Sequence, residues 1–242
     1  MKKYLPDLLT LLNLMCGVCA CVLAAWGFFW QAFCFILAGA VFDICDGALA
    51  RALGVSSGMG RELDSLSDLV SFGVAPALMM FSWYYKINCS DTPHFLAFVP
   101  LLIVPFSAVR LARFNLYDSG EKDFRGLATS ACGTLIASIV GYGHSCTVAG
   151  AESLVVNLLR SPWFIPVLSV VLCILLVSQI RMFSVKGKFG IKHYLLAGCA
   201  LIFVILIAFI APRGILLIGY LALFLVLLFT AYILLAAFGR GK

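Results

Sequence analysis

Four aspartates stand in two pairs within a chain otherwise poor in charge: Asp43 and Asp46, then Asp64 and Asp68. Gly47, Ala50, Arg51 and Gly60 lie between them, giving the uninterrupted pattern D-x2-D-G-x2-A-R-x8-G-x3-D-x3-D. On a helix, positions 43, 46, 47, 50 and 51 share one face, and positions 60, 64 and 68 share a face of the next helix. Two antiparallel helices joined by a turn over 54–58 would aim four carboxylates at one space. Hard oxygen donors of this kind suit Mg²⁺ or Mn²⁺ rather than zinc. Two such ions would balance the four negative charges. Gly47 and Gly60 leave room for a ligand to approach the backbone, and Arg51 offers a two-pronged donor to phosphate oxygens. Aspartates that merely face water at a membrane surface need no fixed glycines and arginine between them.

The elements that must position these residues lie in a membrane. Hydrophobic residues make up 63% of the 242 and charged residues 12%, a composition that belongs to integral membrane proteins. Apolar runs predict about eight transmembrane helices, near 8–27, 31–53, 63–85, 95–116, 128–148, 163–180, 193–211 and 214–238. They read as one all-helical domain over 1–242, with no soluble domain, long linker or visible repeat. With the N-terminus in the cytoplasm, that side collects twelve basic residues, among them Lys2, Lys3, Arg110, Arg113, Lys186, Lys188 and Lys192. The far side keeps only Lys86, Arg160 and Arg213, so the positive-inside rule puts the aspartates at the cytoplasmic ends of helices 2 and 3. The net charge of +6 reflects this bias and an attraction to anionic headgroups. No basic stripe outside the loops points to nucleic acid.

Smaller signals have two readings each. Asp7, Thr10 and Asn13 fall on successive turns at the motif end of helix 1, as ligand contacts or as polar groups satisfying one another. Ser57 is a ligand contact or ordinary turn chemistry. Arg110 and Arg113 end helix 4 on the motif side, binding phosphate or a carboxylate, or snorkelling to the interface. Cys16 and Cys19 read as packing, since most of the ten cysteines lie mid-span. Trp26, Trp30, Trp83, Tyr84 and Tyr85 read as an interfacial belt.

The aspartate pattern matches the signature of the CDP-alcohol phosphotransferases, membrane enzymes that move a phosphatidyl-type group from a CDP-linked donor to an alcohol, and the chain resembles them. Further strings resemble the integral-membrane phosphatidylserine synthases over roughly the first 130 residues. These are Pro6-Asp7-Leu8-Leu9-Thr10-Leu11-Leu12-Asn13, Leu63-Asp64-Ser65-Leu66-Ser67-Asp68 and onward to Pro76, Arg110-Leu111-Ala112-Arg113-Phe114-Asn115, and Phe124-Arg125-Gly126-Leu127. Asp7 stands where relatives usually carry Asn, and Ala128 where they carry Pro.

The resemblance implies a CDP-alcohol phosphotransferase-like helical bundle that joins CDP-diacylglycerol to L-serine, giving phosphatidylserine and CMP with two divalent cations, Mg²⁺ or Mn²⁺. Asp43 and Asp64 would touch both ions, with Asp46 and Asp68 completing one each, and Asp68 would take the proton of the serine hydroxyl. Gly47, Arg51, Ser57, Gly60, Asp7 and Thr10 are implied as donor contacts, and Asn13, Arg110 and Arg113 as acceptor contacts. A CDP-linked donor, made from cytosolic CTP, agrees with the topology expected for a bacterial cytoplasmic membrane protein. The expected partners are these substrates and membrane lipids, with no nucleic acid and a homodimer left open. Another acceptor, glycerol 3-phosphate or an inositol compound, is the nearest alternative. An ion-coupled transporter is the alternative from another class, though it would carry repeats and carboxylates near the midplane.

Overall fold

Each helix boundary near the aspartates has a local cause in the sequence. Pro6 sits in the first turn of α1 (Leu5–Ala25), where its missing N–H is not needed. Gly54, at a φ of 63°, ends α2 (Phe29–Leu53) in the left-handed conformation that L side chains avoid, and its N–H closes back on the last carbonyls. Ser57 then caps α3 (Gly58–Asp68), its Oγ accepting the Gly60 N–H at 2.9 Å. That cap draws the polar stretch from Gly58 into the helix, which therefore starts earlier than the apolar run at 63 suggests.

The computed structural model describes residues 4–55, 57–88, 94–117, 124–150, 154–178 and 181–182. After α3 the same helix passes through a π turn (Leu69–Val74) and continues as α4 (Ala75–Asn88). A 3₁₀ segment (His94–Leu102), interrupted by Pro100, leads into α5 (Ile103–Tyr117); proline has no N–H to give to a regular helical ladder. Then come α6 (Thr129–Val148), the short α7 (Leu154–Arg160) and α8 (Phe164–Val177). A two-residue antiparallel pairing of β1 (Phe124–Arg125) with β2 (Arg181–Met182) is the only non-helical element among the described residues. The fold is all-helical in substance. Among the described residues four helices are long and apolar enough to cross a membrane, namely Leu5–Ala25, Phe29–Leu53, Gly58–Asn88 and Phe95–Leu116. The spans expected near 193–211 and 214–238 lie outside the described residues.

Lipid tails are as apolar as leucine, so helices associate in a membrane by close packing and interhelical hydrogen bonds rather than by burying oil. The chain shows both. The middle helix α6 is buried along most of its length. Four of its hydroxyls are satisfied within the helix: Thr134, Ser138, Ser145 and Thr147 each donate to the carbonyl four residues earlier. Gly133 of α6 and Gly17 of α1 let the two helices close on the π turn from two sides. A methyl group at either would strike the backbone of Phe72 or of Ser71. Helix α1 packs on α2 and also on α3, the π turn and α4, so it lies between the two helices that carry the aspartates. Trp83 and Tyr84, expected in the interfacial belt, are instead buried at 2% and 0% exposure. They belong to the core beneath α6, while Trp26 and Tyr85 are exposed as a belt requires. No disulfide joins any two of the described cysteines.

Candidate active site

Asp43 on α2 and Asp64 and Asp68 on α3 bring one carboxylate oxygen each within 4.8 Å of one another. All three are partly buried. Three like charges this close repel strongly wherever water is scarce. An oxygen-only donor set of this size fits a hard divalent ion, which removes the repulsion and completes its shell with water or substrate oxygens. The residues present therefore fit a metal of the Mg²⁺ or Mn²⁺ class.

Asp46 lies apart from this trio. Residues three apart on a helix differ by about 60° around the axis, and Asp46 meets α1 instead. Thr10 Oγ1 donates to Asp46 Oδ2 at 2.6 Å, and both side chains are buried. Asn13, one turn further along α1, donates from Nδ2 to Asp68 Oδ1 at 3.4 Å. Its own Oδ1 is buried without a hydrogen-bond partner. Gly39 of α2 makes room for it, since a Cβ there would approach that oxygen to 2.8 Å.

Two serines not singled out in the sequence lock α1 in place from the other side. Ser67 Oγ donates to the Thr10 carbonyl at 3.0 Å, and Ser71 Oγ to the Asn13 carbonyl at 2.9 Å. Their four-residue spacing beside Asp68 was the available signal, since small hydroxyls so spaced on an apolar helix commonly bond a neighbouring helix.

A cavity of about 280 Å³ opens beside the trio, near the small end of ligand pockets at roughly 300–1,000 Å³. Asp7 and Thr10 of α1, Asp46 and Gly47 of α2, Ser57 of the turn, Gly60, Arg61 and Asp64 of α3, and Phe114 of α5 are among its walls. Gly60 is held between two oxygens: a Cβ there would come within 2.9 Å of Ser57 Oγ and 3.1 Å of Asp7 Oδ1. Arg51, exposed in the last turn of α2, lays its Nη1 over Gly47, 3.5 Å from where a Cβ would be. Ser57 thus lines the cavity and caps α3 at once.

The two arginines of α5 part company. Arg110 turns inward, donating from Nη1 to Thr129 Oγ1 at 3.0 Å, with its guanidinium 5.7 Å from the Phe114 ring centre. It lies within electrostatic range of Asp68. Arg113 is exposed. Asn115 reaches α3, its Nδ2 donating to Ser65 Oγ at 3.0 Å.

Residues 3–175 match the CDP-alcohol phosphatidyltransferase family. The chain is 36% identical over 149 residues to the archaetidylserine synthase of Methanothermobacter thermautotrophicus, covering 61% of this chain and 62% of that protein. It is 30% identical over 166 residues to a CDP-diacylglycerol–serine O-phosphatidyltransferase of Bacillus subtilis, covering 67% of this chain and 92% of that protein. A protein of the same name from Methanocaldococcus jannaschii is 30% identical over 206 residues, with 81% and 88% covered. The chain therefore spans somewhat under two thirds of the archaetidylserine synthase and most of the other two.

Proposed function

The chain belongs to the CDP-alcohol phosphatidyltransferase family, and from that premise we propose that it transfers a phosphatidyl group from CDP-diacylglycerol to L-serine, releasing CMP. The carrying observation is the position of Asp64, which is both a member of the carboxylate trio and a wall of the cavity. A ligand in that cavity therefore lies against Asp64 of the trio and against Asp46. The relatives' names differ in lipid and agree on serine.

Two divalent ions, Mg²⁺ or Mn²⁺, held by Asp43, Asp64 and Asp68 with Asp46 alongside, would screen these charges and polarise the donor's pyrophosphate. Arg51 supplies a fork for the donor phosphates above Gly47, and Gly60 keeps the opposite wall low enough for the nucleotide. The serine hydroxyl oxygen attacks the phosphorus that carries the diacylglycerol. The bond from that phosphorus to the CMP oxygen breaks, CMP leaves with the electron pair, and Asp68 takes the hydroxyl proton. Asn13, assigned to the acceptor from sequence, is better placed to hold Asp68 in orientation for that transfer. Arg110, inward and near Asp68, is the better candidate for the serine carboxylate; exposed Arg113 has no such position.

The whole chain, 1–242, forms one catalytic domain of eight spans in this reading, in a cytoplasmic membrane with the cavity on the cytoplasmic side. The basic asymmetry supports that orientation. A cysteine at Met59 should label from the cytoplasm and one at Trp26 from outside, both positions being well exposed at 79% and 70%; the reverse pattern would invert the topology. The function itself is tested with detergent-solubilised protein, CDP-diacylglycerol and labelled serine, glycerol 3-phosphate or inositol. Serine should release CMP and yield a labelled phospholipid. Product only with another alcohol would move the chain to a sister activity.

A further inference from the structure

Thr10 is tied to both aspartate-bearing helices. Its hydroxyl has two acceptors in reach, the Pro6 carbonyl at 3.1 Å and Asp46 Oδ2 at 2.6 Å. A hydroxyl has one proton to give, and the shorter contact to a charged acceptor is the stronger bond. Its carbonyl accepts from Ser67, the neighbour of Asp68, at 3.0 Å. Thr10 and Asp46 are 5% and 6% exposed, so this bond is shielded from competing water. Meanwhile Asp43, Asp64 and Asp68 cluster without Asp46. The four carboxylates thus fall into a trio and a single residue that is bonded to α1.

We propose that Thr10 is a positioning residue that holds Asp46 through Oδ2 and so sets the affinity of one of two unequal metal positions. This rests on the metal-dependent reading above and adds to it the residue that makes the two positions different. The trio forms the tighter one, since its three oxygens already lie within 4.8 Å of one another. The other depends on Asp46, whose orientation depends on a hydroxyl outside the aspartate pattern. Groups that orient a metal ligand through a hydrogen bond typically change metal affinity by about 10–100-fold when removed.

The test is Mn²⁺ titration of metal-free, detergent-purified protein by calorimetry, without lipid donor or serine. The parent should take up Mn²⁺ in two steps. Thr10→Val removes the hydroxyl while keeping the shape and the carbonyl that Ser67 uses. It should keep the tight step and weaken the other by about tenfold or more. Thr10→Ser should restore the parent pattern. Asp46→Asn should weaken the same step, and adding Thr10→Val to it should change nothing further. Parent-like binding by Thr10→Val, or equal weakening of both steps, overturns the proposal. So does a Thr10→Ser variant no better than Thr10→Val, or an added loss in the double variant. If Thr10→Val proves too unstable to purify, Thr10→Ser and Thr10→Ala carry the comparison, with Ala expected to behave as described for Val. Absence of any Mn²⁺ uptake by the parent would instead overturn the metal-dependent reading itself.

Discussion

At the motif end of the bundle, Thr10, Asn13, Asp46, Ser67 and Ser71 are joined helix to helix by hydrogen bonds that converge on a crowd of carboxylates. At the opposite end the polar atoms are wrapped in rings. Phe29 meets Trp83 edge to face at 5.1 Å and His144 at 5.4 Å, Trp83 meets His144 at 5.9 Å, and Lys86 Nζ stands 5.9 Å from the centre of the Phe29 ring. The aromatic end needs no ion, because its ring contacts are attractive as they stand, although the Trp83 Nε1 is buried there without a hydrogen-bond partner. The carboxylate end is built to the opposite rule: its hydrogen bonds fix positions but leave the repulsion within the trio for a cation to remove. Where a membrane protein tolerates such an arrangement, function is the usual reason.

The contrast breaks first, and hardest, at the carboxylates. Chelation should abolish CMP release, with Mg²⁺ or Mn²⁺ restoring it and Zn²⁺ or Ca²⁺ failing to do so. Asp43→Asn should lose metal and donor binding together, and with them any Mn²⁺-dependent rise in Tm, because an ion stabilises only the fold that binds it. Asp68→Asn keeps a carbonyl oxygen for the metal but cannot take a proton. Its turnover should fall by about 10²–10⁴-fold with donor affinity within a few-fold. Turnover within a few-fold of the parent would give the role of base to another group.

An intermediate effect is expected at Arg110. Arg110→Lys keeps the charge and loses the fork, and a hydrogen bond between charged groups contributes about 1.5–3 kcal/mol. The serine KM should therefore rise about tenfold or more while the KM for CDP-diacylglycerol changes little. Arg113→Lys should leave both unchanged. Equal effects on the two substrates would remove Arg110 from the acceptor site.

The smallest effect sharpens the comparison from the other side. His144→Ala removes two edge-to-face contacts of about 0.5–1.5 kcal/mol each, so Tm should fall while kcat/KM stays within about twofold. A large catalytic loss with unchanged Tm would show that the aromatic end takes part in turnover.

How much of this was legible depended on whether one helix or several decided the matter. The aspartate spacing and the turn around Gly54 are properties of single segments, and they located the site and the ends of α2 and α3. The partition of the four aspartates was not legible. Periodicity gives the face on which Asp46 lies, but not that α1 comes to lie beside it and supply Thr10. Trp83 and Tyr84 failed for the same reason, since an aromatic near a span end looks alike whether lipid or α6 covers it. The stretch Leu69–Val74, with Ser71 and Gly73 among apolar residues, gave no hint of a π turn, because widening a helical turn needs no special residue.

That π turn has a consequence for how this helix tolerates change. An extra residue per turn shifts the angular phase of everything after it by about 100°. The direction in which Asp64 and Asp68 point is thereby uncoupled from the direction in which Met79, Trp83 and Tyr84 enter the core. Side chains on either stretch can be exchanged without re-aiming the other. Deleting a single residue from 69–74 would take out the extra residue and leave both faces aimed as they are, whereas deleting one from 75–78 would turn Met79, Trp83 and Tyr84 by about 100° from their present face.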